Sequence, residues 1–304
     1  MEAAVRFAPA LFVFLWSTGF IGAKLGLPHA DPLAFLLVRF ACVVALLTIL
    51  AAVLRRPWPS SPRQAGHVAV AGMLLHGGYL AGVFGAIKAG MGSGTVALIV
   101  GLQPLATAAI AGPLLGEAVG RRQWLGLALG FGGVALVLSG QAQFSGIRPA
   151  ALGLALLALA SISAGTIYQK RHGVGMDPWT GSALQFIAAA LVLAPFALAF
   201  GSFRIDWTPR FVFALAWLVL VLSIAAVGLM YWLIRRSAAT GFASLFYLVP
   251  AVTALLAYLL FGERLDTLSI AGMVICAVGV VLANRGAAVK PVAGNAAASV
   301  AREG

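Results

Sequence analysis

Residues 14–40 read FLWSTGFIGAKLGLPHADPLAFLLVRF, and residues 160–186 read ASISAGTIYQKRHGVGMDPWTGSALQF. Laid over one another at a shift of 146 positions, the two stretches place Ser17 on Ser163, Gly19 on Gly165, Lys24 on Lys170, Asp31-Pro32 on Asp177-Pro178 and Phe40 on Phe186. The register holds to the far end of the apolar sequence: Pro104 falls on Pro250, Gly116-Glu117 on Gly262-Glu263, Gly126 on Gly272, Gly133 on Gly279 and Gly140 on Gly286. Single Gly matches carry little weight in a chain this rich in small residues. Asp-Pro, Pro and Gly-Glu on one uninterrupted register mark an internal duplication. Residues 1–146 are read as one unit and 147–286 as the second.

The solvent of these units follows from composition. Hydrophobic residues make up 62% of the 304 and charged residues 9%, against about 25% charged in a soluble domain. A chain of this length cannot bury so many apolar side chains in water, whereas lipid solvates them on the outside of a helix bundle. The apolar runs fall near residues 8–26, 32–54, 65–87, 91–115, 122–139, 149–169, 178–200, 210–234, 241–261 and 267–284. Most are too long and continuous for the alternating strands of an outer-membrane barrel. The expectation is an all-α membrane protein of ten transmembrane helices, five per unit. An odd number of spans per unit inserts the second copy upside down, giving two inverted five-helix repeats, an arrangement suited to alternating access.

Orientation follows from Lys and Arg in the short loops. One side collects Arg6, Arg55, Arg56, Arg63, Arg121, Arg122, Lys170, Arg171, Arg235, Arg236, Arg285, Lys290 and Arg302. The other holds Lys24, Lys88, Arg148, Arg204, Arg210 and Arg264. Both termini are therefore expected in the cytoplasm. The first apolar run carries no small-residue cleavage site and is read as a retained helix. Residues 287–304 are read as a disordered cytoplasmic tail. The net charge of +12 is scattered in ones and twos between apolar runs, so it marks topology and no nucleic acid is expected as a partner. Cys42 and Cys276 lie inside apolar runs, where a thiol behaves as a small hydrophobe, so neither a disulfide nor a metal site is inferred.

The chain resembles the drug/metabolite transporter superfamily, in the branch built from two EamA-type domains. The residues that carry the resemblance are Trp16-Ser17-Thr18-Gly19-Phe20 followed by Lys24, then Arg39-Phe40, then the Pro and Gly-Glu pattern ending at Glu117 and Glu263. The second copy departs from it, with Ile162 in place of the Trp and Gln185 in place of the Arg. The nearest resemblance is to the aromatic amino-acid exporters of YddG type. Membership implies ten helices around a central cavity, a bacterial inner-membrane location and export of amino acids or other metabolites.

Candidate substrate-binding residues follow from what is polar or interrupted at depth. Pro104 and Pro250 lack an amide hydrogen and free the carbonyls of Val100 and Phe246, either to face a cavity or as kinks relieved by neighbouring helices. Gln103 and Tyr247 stand beside them. His76 lies about eleven residues into the third span, with Tyr79 on the same face; an imidazole there is either a site residue or a satisfied packing group. Arg39 is about 10 Å into the second span by helical rise. It could hold a substrate carboxylate, or its stem could snorkel to the interface or bond carbonyls of an adjacent helix. Trp16, Phe20, Tyr168 and Tyr231 supply further aromatic surface on helices that line the cavity in similar transporters. Small residues at fourfold spacing, Gly126, Gly130 and Gly133 against Gly272, Cys276 and Gly279, are read as packing faces. They leave the choice between a monomer and a weak homodimer open.

All eight acidic residues fall in loops, tails or span ends. No carboxylate is thus placed at depth to carry a proton or sodium ion, to complete a catalytic triad or to bind metal. No catalytic residue and no cofactor is implied. The resulting expectation is a transporter exporting small neutral or zwitterionic metabolites, aromatic and hydrophobic amino acids foremost. Efflux of drugs or nucleotide sugars is the alternative within transport, and a membrane-embedded enzyme the alternative outside it.

Overall fold

Prolines and the polar residues before them set where the helices begin. Five helices of this computed structural model start on a proline, whose missing amide is an orphan at a helix N-terminus in any case. The structure describes residues 2–103, 105–107, 121–145, 148–172, 176–226, 229, 248–263 and 266–285. In chain order the helices are α1 (Glu2–Gly26), α2 (Pro32–Val53), α3 (Pro62–Lys88), α4 (Ser93–Val100), α5 (Arg121–Ser145), α6 (Pro149–His172), α7 (Pro178–Phe200), α8 (Pro209–Ala226), α9 (Val249–Phe261) and α10 (Thr267–Arg285). The duplicated Asp-Pro is a duplicated cap. Asp31 Oδ1 accepts from the amides of Leu33 and Ala34 at 3.0 and 3.2 Å, and Asp177 Oδ1 from those of Trp179 and Thr180 at 2.9 and 3.3 Å. Ser61 and Thr208 cap α3 and α8 in the same way. Gly262, in the left-handed region at φ 64°, stops α9.

Six stretches are long and apolar enough to cross a membrane: Phe7–His29, Pro32–Val53, Pro62–Lys88, Pro149–Gln169, Pro178–Phe200 and Pro209–Ala226. Shorter apolar helices cover Ser93–Thr107, Trp124–Val137, Val249–Phe261 and Thr267–Gly279. This is a multi-pass membrane protein, and its surface is accordingly apolar: Leu198 and Phe200 are 76% and 80% exposed, as lipid allows and water does not. The interior is closed by aromatic packing, with Phe35 fully buried and its ring 5.2 Å from that of Phe84 and 4.8 Å from that of Phe211.

The helix contacts repeat as the sequence does. α1 packs on α8 and α9, while α6 packs on α3 and α4. α2 meets α7, α4 meets α9 and α5 meets α10. Each of these pairs is exchanged with another, or with itself, by the 146-residue shift. In the α5–α10 pair the small residues interlock: a methyl group on Gly133 would lie 2.5 Å from the Gly272 carbonyl, one on Gly272 equally close to the Gly133 carbonyl, and Cys276 Sγ donates to Gly130 O at 3.2 Å. That is the packing use of the Gly-rich faces.

Two helices depart from regular α geometry. α3 runs in wide, π-helical turns over Met73–Gly78, and α8 over Trp217–Ala226. Under the shift Met73–Gly78 falls on residues 219–224, inside the second interruption. Sequence reasoning looked for paired breaks at Pro104 and Pro250 instead. Pro104 lies outside the described residues; Pro250 is buried in the first turn of α9, its ring facing Gly101. The broken turns of α3 and α8 carry no proline, so no residue type announced them. π-Turns of this kind often accompany functional sites, because a widened turn re-aims one side chain and frees a carbonyl.

Candidate functional site

The first π interruption carries His76, and three helices converge on it. Gly72, one turn earlier on α3, has no room for a side chain against the backbone of Gln185 on α7. Further along α3, methyl groups on Gly78 and Gly82 would lie 2.5 Å from Ser161 Oγ and from the Leu154 carbonyl, both of α6. Small residues on α3 thus bring its backbone against α6 and α7 at once, and His76 is held where those helices meet. Its ring stacks on Phe186 with centroids 4.0 Å apart and planes at 15°. Phe186 in turn lies 5.3 Å from the ring of Phe40 on α2, its own partner under the duplication.

A file of side-chain hydrogen bonds runs from this imidazole. Gln185 Nε2 donates to Gln169 Oε1 at 3.1 Å, which leaves Gln185 Oε1 as the acceptor at 3.3 Å from His76 Nε2. In that arrangement His76 Nε2 is the donor and Nδ1 carries the lone pair, an acceptor. Tyr168, the residue before Gln169, belongs to a second group, its hydroxyl 2.8 Å from His67 Nδ1. The His67 and His172 rings are stacked at 4.5 Å. Polar groups on α3, α6 and α7 thus form two clusters, one of His67, Tyr168 and His172 and one of His76, Gln185 and Gln169. Arg39 on α2 lies close enough to His76 and Tyr79 to act on both electrostatically.

Among the expected residues, then, the structure gathers His76, Tyr79 and Arg39 into one cluster. Arg39 is 4% exposed, so its stem does not snorkel to the interface, contrary to one of the two readings of its sequence position. Tyr168 belongs to the second group, with His67 and His172. Gln103 is taken up by a bond from Nε2 to Thr166 Oγ1 on α6 at 2.9 Å. Phe20 is a core residue at 4% exposure, and Trp16 is partly buried with its ring 5.4 Å from Phe12. Tyr231 and Tyr247 lie outside the described residues. Sequence reasoning missed Phe186, Gln169, His67 and His172 as members of the cluster, and it noted Gln185 only as a departure from Arg39. The available signal was the departure itself: a Gln in place of a duplicated Arg, on the face of α7 that meets α3. Among the described residues, no three His, Cys, Asp or Glu side chains gather in a way that could hold a metal ion.

The opposite end of α1 carries an ion pair. Lys24 bonds Glu263 after α9, and Glu263 Oε1 also accepts from Ser93 N and Oγ at the start of α4, both at 2.9 Å. Lys88 Nζ bonds the carbonyls of Leu27 and Ala30 at 2.7 and 3.3 Å. These ties bind the ends of α1, α3, α4 and α9 together, so Lys24 is a partnered residue and not a free interfacial anchor.

Comparison with known proteins gives this geometry a family. The model of the EamA-like transporter family matches residues 7–139 and again residues 149–285. A Salmonella typhimurium protein named "Probable amino-acid metabolite efflux pump" is 28% identical over 284 residues, covering 90% of this chain and 92% of its own. The Escherichia coli K12 protein of the same name is also 28% identical, over 88% of this chain and 91% of its own. Another Escherichia coli K12 protein, "Uncharacterized inner membrane transporter YedA", is 28% identical over 91% and 89%. A crystal structure sharing 19% identity superposes with a TM-score of 0.62 over 93% of this chain and 98% of that one, which speaks for the fold.

Proposed function

The chain belongs to the EamA-like transporter family, and on that premise we propose that it exports small neutral or zwitterionic metabolites, amino acids with aromatic or apolar side chains foremost. It works by alternating access across a bacterial inner membrane. The observation that carries this reading is the His76 cluster, an aromatic stack and a hydrogen-bonded amide pair partly buried among helices whose outer faces are apolar. Polar groups within a membrane interior are costly and belong to substrate paths more often than to packing. An apolar wall beside a few placed donors and acceptors suits a molecule that is half hydrocarbon and half zwitterion. Two relatives bearing the name of an amino-acid metabolite efflux pump support the substrate class and the direction.

The architecture that goes with it is ten membrane helices as two inverted five-helix repeats, 1–146 and 147–286, with both termini in the cytoplasm. Helix pairs that exchange under the 146-residue shift support the repeats, and the basic loops support the orientation. In this reading the Lys24–Glu263–Ser93 tie closes the outer end, while His67, Tyr168 and His172 lie toward the cytoplasm from His76.

The test is flux in liposomes holding the purified protein, with a panel of labelled amino acids, with and without a pH gradient. The expected outcome is saturable transport of aromatic and large apolar amino acids, reduced tenfold or more in His76→Leu. A correctly folded protein that moves no solute would overturn the reading. Flux unchanged between pH 5 and 8 would show that His76 binds without relaying protons.

A further inference from the structure

Arg39 is more than nine-tenths buried, and its Nε has no hydrogen-bond partner among the described residues. Such a group is expensive. A guanidinium stays charged at any working pH, and a buried N–H donor on it left without an acceptor carries a desolvation cost. Native chains tolerate it where a ligand completes the pair.

The chain offers no counter-ion of its own among the described residues. Asp31 and Asp177 are occupied as helix caps, and Asp177 also faces Arg56. Glu263 holds Lys24 and Ser93. Asp266 accepts from Ser269 N at the start of α10, and Asp206 is exposed. None forms an ion pair with Arg39. What does surround it is neutral: Tyr79 and His76 within electrostatic reach, and beside them the Phe40–Phe186–His76 stack. Such an environment gives one positive charge next to an aromatic wall. The second copy of the unit has Gln185 at the corresponding position, and that residue is fully committed to His76 and Gln169. Among the described residues the cation of this cluster is therefore single, and it sits in the half that also holds the imidazole.

We propose that Arg39 is the carboxylate-binding group of the transport site, so that the substrate is a small molecule bearing a carboxylate and its amide or amine analogues are rejected. The assignment rests on the reading of the His76 cluster as the place where substrate binds. A planar fork of N–H donors matches a carboxylate in a way that Lys or Gln does not, and a carboxylate would neutralise the buried charge on arrival. A single cation argues against phosphorylated substrates, which call for several.

The experiment is thermal unfolding of the full-length protein in detergent, alone and with L-phenylalanine, L-phenylalaninamide, 3-phenylpropionate or 2-phenylethylamine. The wild type is expected to be stabilised by the two carboxylates, with an affinity about tenfold or more above that for the amide and the amine. Arg39→Gln is expected to erase this discrimination and, without ligand, to unfold at the same temperature as the wild type or higher, because it removes an uncompensated charge. Arg39→Lys keeps the charge and retains a weakened preference. Equal stabilisation by the acid and its amide would overturn the proposal. So would discrimination that survives Arg39→Gln, or an unliganded Arg39→Gln that melts well below the wild type while Arg39→Lys restores it, which is the mark of a structural arginine. Absence of a shift with any carboxylate on the panel also overturns it. In the liposome assay, amino-acid flux without acid–amide discrimination overturns this assignment alone, whereas no flux of any solute overturns the transport reading, so the two fail separately.

Discussion

The corner where α3 meets α6 and α7 has a counterpart where α8 meets α1 and α2, and the two use one backbone plan with different chemistry. In both, a π-helical interruption on the crossing helix faces a glycine of the first or sixth helix: Leu222 lies against Gly19, and Leu74 and Leu75 against Gly165. Yet the duplication places Leu222 where the first copy has His76, Ala225 for Tyr79, Phe213 for His67 and Gln185 for Arg39. The α1–α8 corner is held by a different polar contact, Trp217 Nε1 donating to Thr18 Oγ1 at 2.8 Å. The duplication preserved geometry, which both copies need in order to fold. Polar side chains drawn from both copies gather at the α3–α6–α7 corner, although burying such groups is costly.

Substitutions that exchange or erase this difference test it. The largest effect is expected from Gly72→Val, because the new side chain meets the Gln185 backbone, which cannot move aside; a loss of about 3 kcal/mol or more is expected, read as a fall in thermal stability and in folded yield. Gly19→Ala probes the other corner, where the obstruction is the tip of Leu222, and is expected to cost about 1 kcal/mol or less. A similar loss at both glycines would show that the two corners are equally rigid. Next comes Leu222→His, which copies the imidazole into the corner that lacks Gln partners. It is expected to destabilise by about 1–3 kcal/mol without adding transport, whereas a gain of flux would show that the second corner is a competent site. An effect as small as that of Gly19→Ala is expected for Thr18→Val, which deprives the Trp217 indole of its acceptor at about 1 kcal/mol while flux stays within about twofold. A tenfold loss of flux there would place the α1–α8 corner in the substrate path.

The six long spans were legible because lipid imposes them: about twenty apolar residues, several opened by Asp-Pro, Ser-Pro or Thr-Pro, read as capped membrane helices. The family was legible in Trp16 through Phe20, Arg39-Phe40 and the repeated Gly-Glu. His76, Tyr79 and Arg39 were legible as candidates because polar side chains at depth are rare. Phe186, Gln169, His67 and His172 were not, for each is unremarkable on its own helix. They acquire meaning from the close approach of α3 to α6 and α7, which no local pattern encodes. The aromatic residues fared differently again. Phe20 had the same sequence credentials as the site residues, and packing made it core.

By itself the sequence determined the solvent of this protein, the duplication and the family, because hydropathy, repeats and capping are local properties that survive without knowing what touches what. Only the tertiary structure decided which helices share a corner, that the paired interruptions lie in α3 and α8, that Gln185 and Phe186 are partners of His76, and that Arg39 is buried with its Nε unpaired. Those are properties of pairs of residues far apart in the chain. Their free energies depend on distances that helix packing alone sets.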